Sequence, residues 1–181
     1  MGASLSALDP GLESAARALV DAASAARLLP QVTSTRRSHA EQTRLYRRFL
    51  AGQSPYPAAP PGTSAHEYGW AFDLIVSPYD ALSDVGATWQ SWGGVWGAAR
   101  DPVHFELPGA SAAAKQAVLT PGSDAERYFL DALDFAVGFL PVVGPIETAA
   151  AILKLFPQFS ESEILTLLSS PVSSLAEYFG F

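Results

Sequence analysis

Apolar residues first recur at helical spacing: Leu12, Ala16, Leu19, Val20 and Ala23 follow Asp9-Pro10, a capping carboxylate with a proline for the first turn. This pattern predicts a helix running to about Leu29, ended by Pro30. From Gln31 to Thr35 the period shortens to two, and a short strand is expected. Ser38-His-Ala-Glu41 has the capping-box form and opens a helix with Leu45, Tyr46 and Phe49 on one side, which stops at Gly52. Residues 52–63 hold four prolines and read as a stiff, irregular loop. A second capping box, Ser64-Ala-His-Glu67, predicts one helical turn ending at Gly69. Trp70 to Val76 then reads as a buried strand: Trp70, Phe72, Leu74 and Val76 face one way, Ala71, Asp73 and Ile75 the other. Residues 77–100 read as a long connection with three tryptophans, and Pro102 to Leu107 as a last strand with His104 and Glu106 on one face.

Pro121-Gly122 marks the expected boundary, dividing the chain into a leading domain, residues 1–120, and a helical tail, residues 121–181. In the tail, two apolar helical stretches, roughly 124–140 and 146–156, meet at Pro141-Val-Val-Gly-Pro145. Leu130, Leu133, Val137 and Leu140 form one stripe, and Ile152, Leu155 and Phe156 a second. A third helix is expected from the capping box Ser160-Glu-Ser-Glu163. The prolines, glycines and Glu147 around the turn argue against a simple membrane span.

Composition narrows the picture. Of 181 residues 49% are hydrophobic, which suits a folded chain with a sizeable core. The absence of cysteine removes thiolate metal sites, disulfides and a cysteine nucleophile together. The net charge of −7 is uneven: residues 1–120 hold 10 acidic and 9 basic residues, residues 121–181 hold 8 and 2. The arginines between Arg36 and Arg48 lie mostly on one predicted helix of a chain that is not basic, so they read as a solvated face and no nucleic acid partner is expected. The N-terminus has neither a basic cluster nor an apolar core, so a protein made in the cytoplasm without a secretory signal is expected. Its opening Met-Gly-Ala-Ser-Leu-Ser fits the loose myristoylation pattern, which nothing else in the chain supports.

Asp73 poses the chemical question. It sits in a strand with apolar neighbours, and an unpaired buried carboxylate costs roughly several kcal/mol. Something cationic must meet it: Arg37 or Arg100 in a buried ion pair, or a metal. His66 lies seven positions earlier, and His104 is on a separate strand, three positions after Asp101. Two histidines and one carboxylate make a complete set for a catalytic zinc, whose fourth position is kept for water. The third histidine, His39, reads as surface.

Four ordered blocks then show a resemblance: Thr33-Ser-Thr-Arg-Arg-Ser38 with Glu41-Gln42 and Leu45-Tyr46; Ser64-Ala-His-Glu-Tyr-Gly-Trp-Ala-Phe-Asp73; Trp92-Gly-Gly94; and Asp101-Pro-Val-His-Phe-Glu106. Over about residues 8–110 the chain resembles the zinc D-Ala-D-Ala carboxypeptidases and L-alanyl-D-glutamate endopeptidases, many of them phage endolysins. The resemblance implies an α+β fold of the hedgehog/DD-peptidase kind: a small antiparallel sheet with flanking helices carrying a zinc site, here with a C-terminal helical extension. It implies zinc held by His66, Asp73 and His104, Asp101 as general base, and Arg37 stabilising the oxyanion or anchoring a substrate carboxylate. Ser64 and Glu106 are expected to orient the ligands. The implied substrate is the peptide stem of peptidoglycan, with the L-alanyl-D-glutamate bond expected first and the D-Ala-D-Ala bond as the alternative. The chain departs from the family pattern at Thr35-Arg36 and at Val95, where an aspartate is frequent. The first departure leaves Arg36 and Arg37 both open as the arginine that enters the site.

Two other readings compete. An iron(II) oxygenase triad uses the same residue types, but its first pair is typically His-x-Asp and it needs no acid before the last histidine. A zinc-stabilised structural or assembly protein has no use for Asp101. The tail lies outside the resemblance and is expected to contact a virion or other assembly, another copy, or a membrane. The protein is expected to act on the cell wall or periplasm, or within a virion.

Overall fold

The computed structural model describes residues 2–129, 152–154 and 156–168. Helix α1 (Pro10–Ala25) starts as its sequence dictates, with the Asp9 carboxylate accepting from the Gly11 N–H at 3.0 Å. It ends before Leu29, because Arg27 turns left-handed (φ 63°). The Arg27 and Leu28 amides then bond back to the Ser24 and Ala23 carbonyls, a Schellman cap made without glycine.

Four short strands, β1 (Gln31–Ser34), β2 (Ala71–Ile75), β3 (Val95–Trp96) and β4 (His104–Glu106), form an antiparallel sheet in the order β1-β2-β4-β3. Helix α2 (His39–Leu50) follows β1 as the capping box predicts. Between β2 and β3 the expected plain connection contains helix α3 (Leu82–Ser91). No side chain caps its N-terminus, and Gly86 and Thr88 weaken its intrinsic propensity, so packing decides it. A Cβ on Gly86 would collide with the Trp96 ring, which identifies the close approach of α3 and β3. The sheet with α1 and α3 encloses Leu12, Leu19, Phe72, Leu74, Leu82, Trp89 and Phe105. Phe72 stacks on Phe105 at 5.3 Å, and Trp89 meets both edge-on.

Contacts divide the chain into two compact units: residues 1–38 with 65–111, and residues 39–64 with the chain from 112 onward. The boundary expected at Pro121-Gly122 falls within the second of these units. Tyr46 of α2 and Val118 of α4 (Ala110–Val118) share one core with Ala125, Phe129, Ile152, Phe156, Phe159, Ile164 and Leu167. Apolar surface seeks apolar surface whatever its place along the chain. The expected capping box forms at α5 (Glu161–Leu168): Glu163 N–H donates to Ser160 Oγ, and Ser160 N–H donates to the Glu163 carboxylate at 2.7 Å. The Leu130–Leu140 stripe, Leu155 and the Pro141–Pro145 turn lie outside the described residues. Among the described residues no helix is long and apolar enough to cross a membrane.

Candidate metal centre

Strand pairing builds the site. Ser34 of β1, Asp73 of β2 and His104 of β4 lie opposite one another in one row across the sheet, and the β1 register shifts between Val32 and Ser34. Bulges of this kind re-aim side chains near functional sites. His66 arrives from the 3₁₀ turn Ala65–Tyr68, which closes at Gly69 in the left-handed region. The segment after β1 grips it at both ends: Thr35 O faces His66 Nδ1 at 2.8 Å, and Arg37 N–H donates to His66 O at 3.0 Å.

These partners set the tautomers. A carbonyl can only accept, so His66 Nδ1 carries the proton and Nε2 presents a lone pair. His104 Nε2 faces the Glu106 carboxylate at 3.2 Å, which fixes the proton there and leaves the Nδ1 lone pair inward. Ser111 Oγ donates to both Glu106 oxygens, at 2.9 and 3.0 Å, and holds that carboxylate in place.

Two lone pairs and a carboxylate oxygen therefore converge. His66 Nε2 lies 3.2 Å from Asp73 Oδ1 and 3.2 Å from His104 Nδ1, and His104 Nδ1 lies 3.4 Å from Asp73 Oδ1. Three acceptors so close repel unless a cation sits among them. Such separations are tetrahedral edges whose centre lies about 2.0 Å from each corner, the usual zinc–nitrogen and zinc–oxygen distance. The residues present fit a zinc ion. Among the described residues this is the one set of three or more His, Cys, Asp or Glu whose donor atoms gather in this way.

The electrostatics agree. Where protons stand in for a metal ion, burial works against an ionised Asp73, yet hydrogen bonds to His104 and His66 and the Arg37 charge hold its carboxyl far below the ordinary range. Burial likewise disfavours a charged His104, but the Asp73 and Glu106 hydrogen bonds prevail and raise its pKa to about 9. The pocket thus demands positive charge. His66 is 3% exposed and His104 is 21% exposed, so the cluster is open on the His104 side.

Of the cations foreseen for Asp73, the arginine and the metal geometry are both present. Arg37 Nη2 donates to Asp73 Oδ2 at 2.9 Å while Oδ1 faces the histidines, and Arg37 Nε donates to Ser34 Oγ at 3.1 Å. Arg36 is exposed, and its Nε donates to the Glu67 carbonyl. Of the two, Arg37 is the one that meets Asp73. Asp101 sits on the turn leading into β4, where its carbonyl oxygen accepts from His104 N–H at 3.0 Å. Partial desolvation pushes its carboxyl upward, opposed by the His104 charge and reinforced by Asp73. Ser64 is buried and belongs to the second unit. Thr35 O and Ser111 were not foreseen. The first is a backbone group with no residue signature; the second sits in a run of alanines that advertises only helix.

A family model described as VanY, D-alanyl-D-alanine carboxypeptidase, matches residues 5–99, just over half of the chain. The match ends before Asp101 and His104. No curated protein matches. Among solved structures, a point variant of the vancomycin resistance D,D-pentapeptidase VanY from a VanB-type resistance cassette, in complex with Zn(II), is 21% identical. It covers 67% of this chain and 83% of that one at a TM-score of 0.47. VanYB in complex with D-alanine-D-alanine is 20% identical, covering 67% and 81%, also at 0.47.

Proposed function

Because the chain belongs to the VanY D-alanyl-D-alanine carboxypeptidase family, we propose that it is a zinc peptidase acting on the peptide stems of bacterial cell wall. The observation that carries this reading is the triangle of His66 Nε2, Asp73 Oδ1 and His104 Nδ1, with both histidine protons fixed on the far side of their rings. These three residues hold the zinc. When bound, the ion supplies a water that ionises near neutral pH and a positive charge beside the scissile carbonyl. Asp101 takes the proton of the attacking water and returns it to the leaving amine. Arg37 keeps Asp73 Oδ1 turned to the histidines, and its charge adds to the field that favours a developing oxyanion. Glu106, tied down by Ser111, keeps the His104 lone pair aimed inward.

The family description favours the D-alanyl-D-alanine bond. The Trp92-Gly-Gly94 and Asp101-Pro-Val-His-Phe-Glu106 blocks favour a second reading, the L-alanyl-D-glutamate bond nearer the root of the stem. A lytic role of the endolysin kind accompanies only the second, since cutting there frees the cross-linked arm from the glycan. Digestion of purified wall by the zinc-loaded full chain, with products identified by mass spectrometry, separates the two. Free D-alanine marks the first bond, and a new D-glutamyl N-terminus the second. Intact stems after prolonged incubation would reject both, and iron-dependent turnover would reject zinc.

A further inference from the structure

The connection from β3 to β4 carries Asp101 three residues before His104, and something must fix the distance between these two side chains. Sequence spacing alone does not, because a six-residue irregular link (98–103) has many conformations. The structure fastens it at several points. Gly97 N–H donates to His104 O at 2.9 Å, and Gly97 O accepts from Asp101 N–H at 3.3 Å. The link then folds back through a turn in which Asp101 O accepts from His104 N–H at 3.0 Å, with Pro102 in the position that favours a fixed φ near −65°. Trp96 Nε1 donates to Pro102 O at 2.7 Å, and Leu74 N–H to Val103 O at 2.9 Å.

Gly97 is the hub of this arrangement. Its N–H holds the strand of His104 and its carbonyl holds the amide of Asp101. Its missing side chain matters equally. A Cβ at Gly97 would overlap the Asp101 carbonyl oxygen and lie 3.0 Å from the Asp101 carbonyl carbon and 3.1 Å from the Asp101 Cβ. Two of these are backbone atoms, so no flexible side chain can swing away to relieve the clash. Backbone must shift at this contact, and Asp101 lies on the irregular link, outside any strand. Beyond Trp96↔Phe105, Gly97 also follows in register toward His104, so the same residue sits beside the ligand and under the base.

We propose that Gly97 is a positioning residue: it sets the Asp101 carboxylate at its working distance from the His104 corner of the metal site. The inference rests on the reading of Asp101 as the general base. A methyl group at Gly97 displaces the base while leaving His66, Asp73 and the donor triangle in place. Misplacing a catalytic group by about 1 Å costs on the order of a hundredfold in rate.

The test uses the zinc-loaded full chain and a soluble stem peptide. Gly97→Ala should lower kcat by about a hundredfold, with KM and zinc affinity, measured by competition with a chromophoric chelator, each within about threefold of the parent. Asp101→Asn should lower kcat by at least about a hundredfold. The double variant should be no slower than Asp101→Asn alone, because a displaced base that is already absent has nothing further to lose. Multiplying losses would overturn the proposal, as would a fall in zinc affinity that accounts for the lost rate. Should Gly97→Ala not fold, Pro102→Gly loosens the same turn without adding an atom. It should reproduce a kcat loss that vanishes in the Asp101→Asn background, and parent-like turnover would overturn the proposal too. If the parent itself leaves the stem peptide intact, the zinc-peptidase reading fails; if the parent cuts and only this pattern is missing, the role of Gly97 fails alone.

Discussion

The two compact units spend their buried volume differently. In the first, the sheet spans an apolar layer of Phe72, Leu74, Phe105 and Trp89 on one face and gathers Asp73, His104, His66, Arg37 and Glu106 around the other. In the second, Tyr46, Phe129, Phe156 and Phe159 pack ring against ring, with centroids 4.8 to 6.1 Å apart. The second core gains stability directly by removing apolar area from water. The polar cluster of the first gains nothing from burial itself. Each charge there is held by a partner whose geometry was built in advance, and the donor set is complete only with a cation. One unit stores stability and the other stores chemistry, and substitutions in the two should therefore fail in opposite ways.

The largest effect belongs to the donor triangle. His66→Ala, Asp73→Ala or His104→Ala should each reduce turnover to background and release zinc, as chelation should in the parent. The apolar layer beneath is untouched, so the metal-free thermal midpoint of the histidine variants should stay close to that of the metal-free parent. Metal analysis with differential scanning calorimetry checks both. Full zinc occupancy in all three variants would refute the ligand set. Asp73→Ala is the harshest of the three, because it also leaves Arg37 without its carboxylate.

Phe156→Ala should invert that pattern. The ring is fully buried against Tyr46 and Phe129, and removing it from such a core costs about 3–5 kcal/mol. Zinc affinity of the molecules that remain folded should be unchanged. A chain ending at Thr120 extends the same logic: it strips Tyr46 and Val118 of their apolar partners and should be insoluble or partly unfolded, as light scattering and circular dichroism would report. A soluble, fully active 1–120 fragment would instead bear out a boundary at Pro121-Gly122.

Much of this organisation is legible in the residues. Strand parity places Asp73 away from Phe72 and Leu74, and His104 with Glu106, while the capping boxes at Ser64 and Ser160 announce their turns. What stays hidden has physical causes. Arg27 adopts a backbone conformation that residue type does not advertise, and the Thr35 carbonyl that fixes the His66 tautomer is a group every residue carries. Helix α3 is made by packing on Trp96, and β3 is two residues long, too short for any period to register. The shared core of α2 and the C-terminal residues depends on contacts between distant segments, whereas composition shifts are read along the chain.

The smallest effect lies at the edge of the second unit and sharpens the contrast, because there a charge is placed at the surface. Glu163 accepts from Ser160 N–H and Oγ through Oε2, and Lys115 Nζ lies 3.0 Å from the same oxygen. The backbone hydrogen bond from Ser160 comes first in lowering its pKa, followed by Lys115 and the Ser160 hydroxyl, from the ordinary 4.5 to about 2. A depressed carboxylate contributes stability that is complete above its unfolded value and lost as pH falls through the folded one. The contribution should therefore be whole above about pH 4.5 and gone near pH 2. Solvent and salt screen so exposed a group, so the effect is modest. Glu163→Gln keeps a hydrogen-bond acceptor for the capping box but removes the charge facing Lys115. It should lower the neutral-pH thermal midpoint by no more than about 2 °C, and the difference from the parent should shrink as pH falls from 4.5 toward 2. A gap that widens on acidification would mean that Glu163 is stabilised in its protonated form, and the capping geometry would need another explanation.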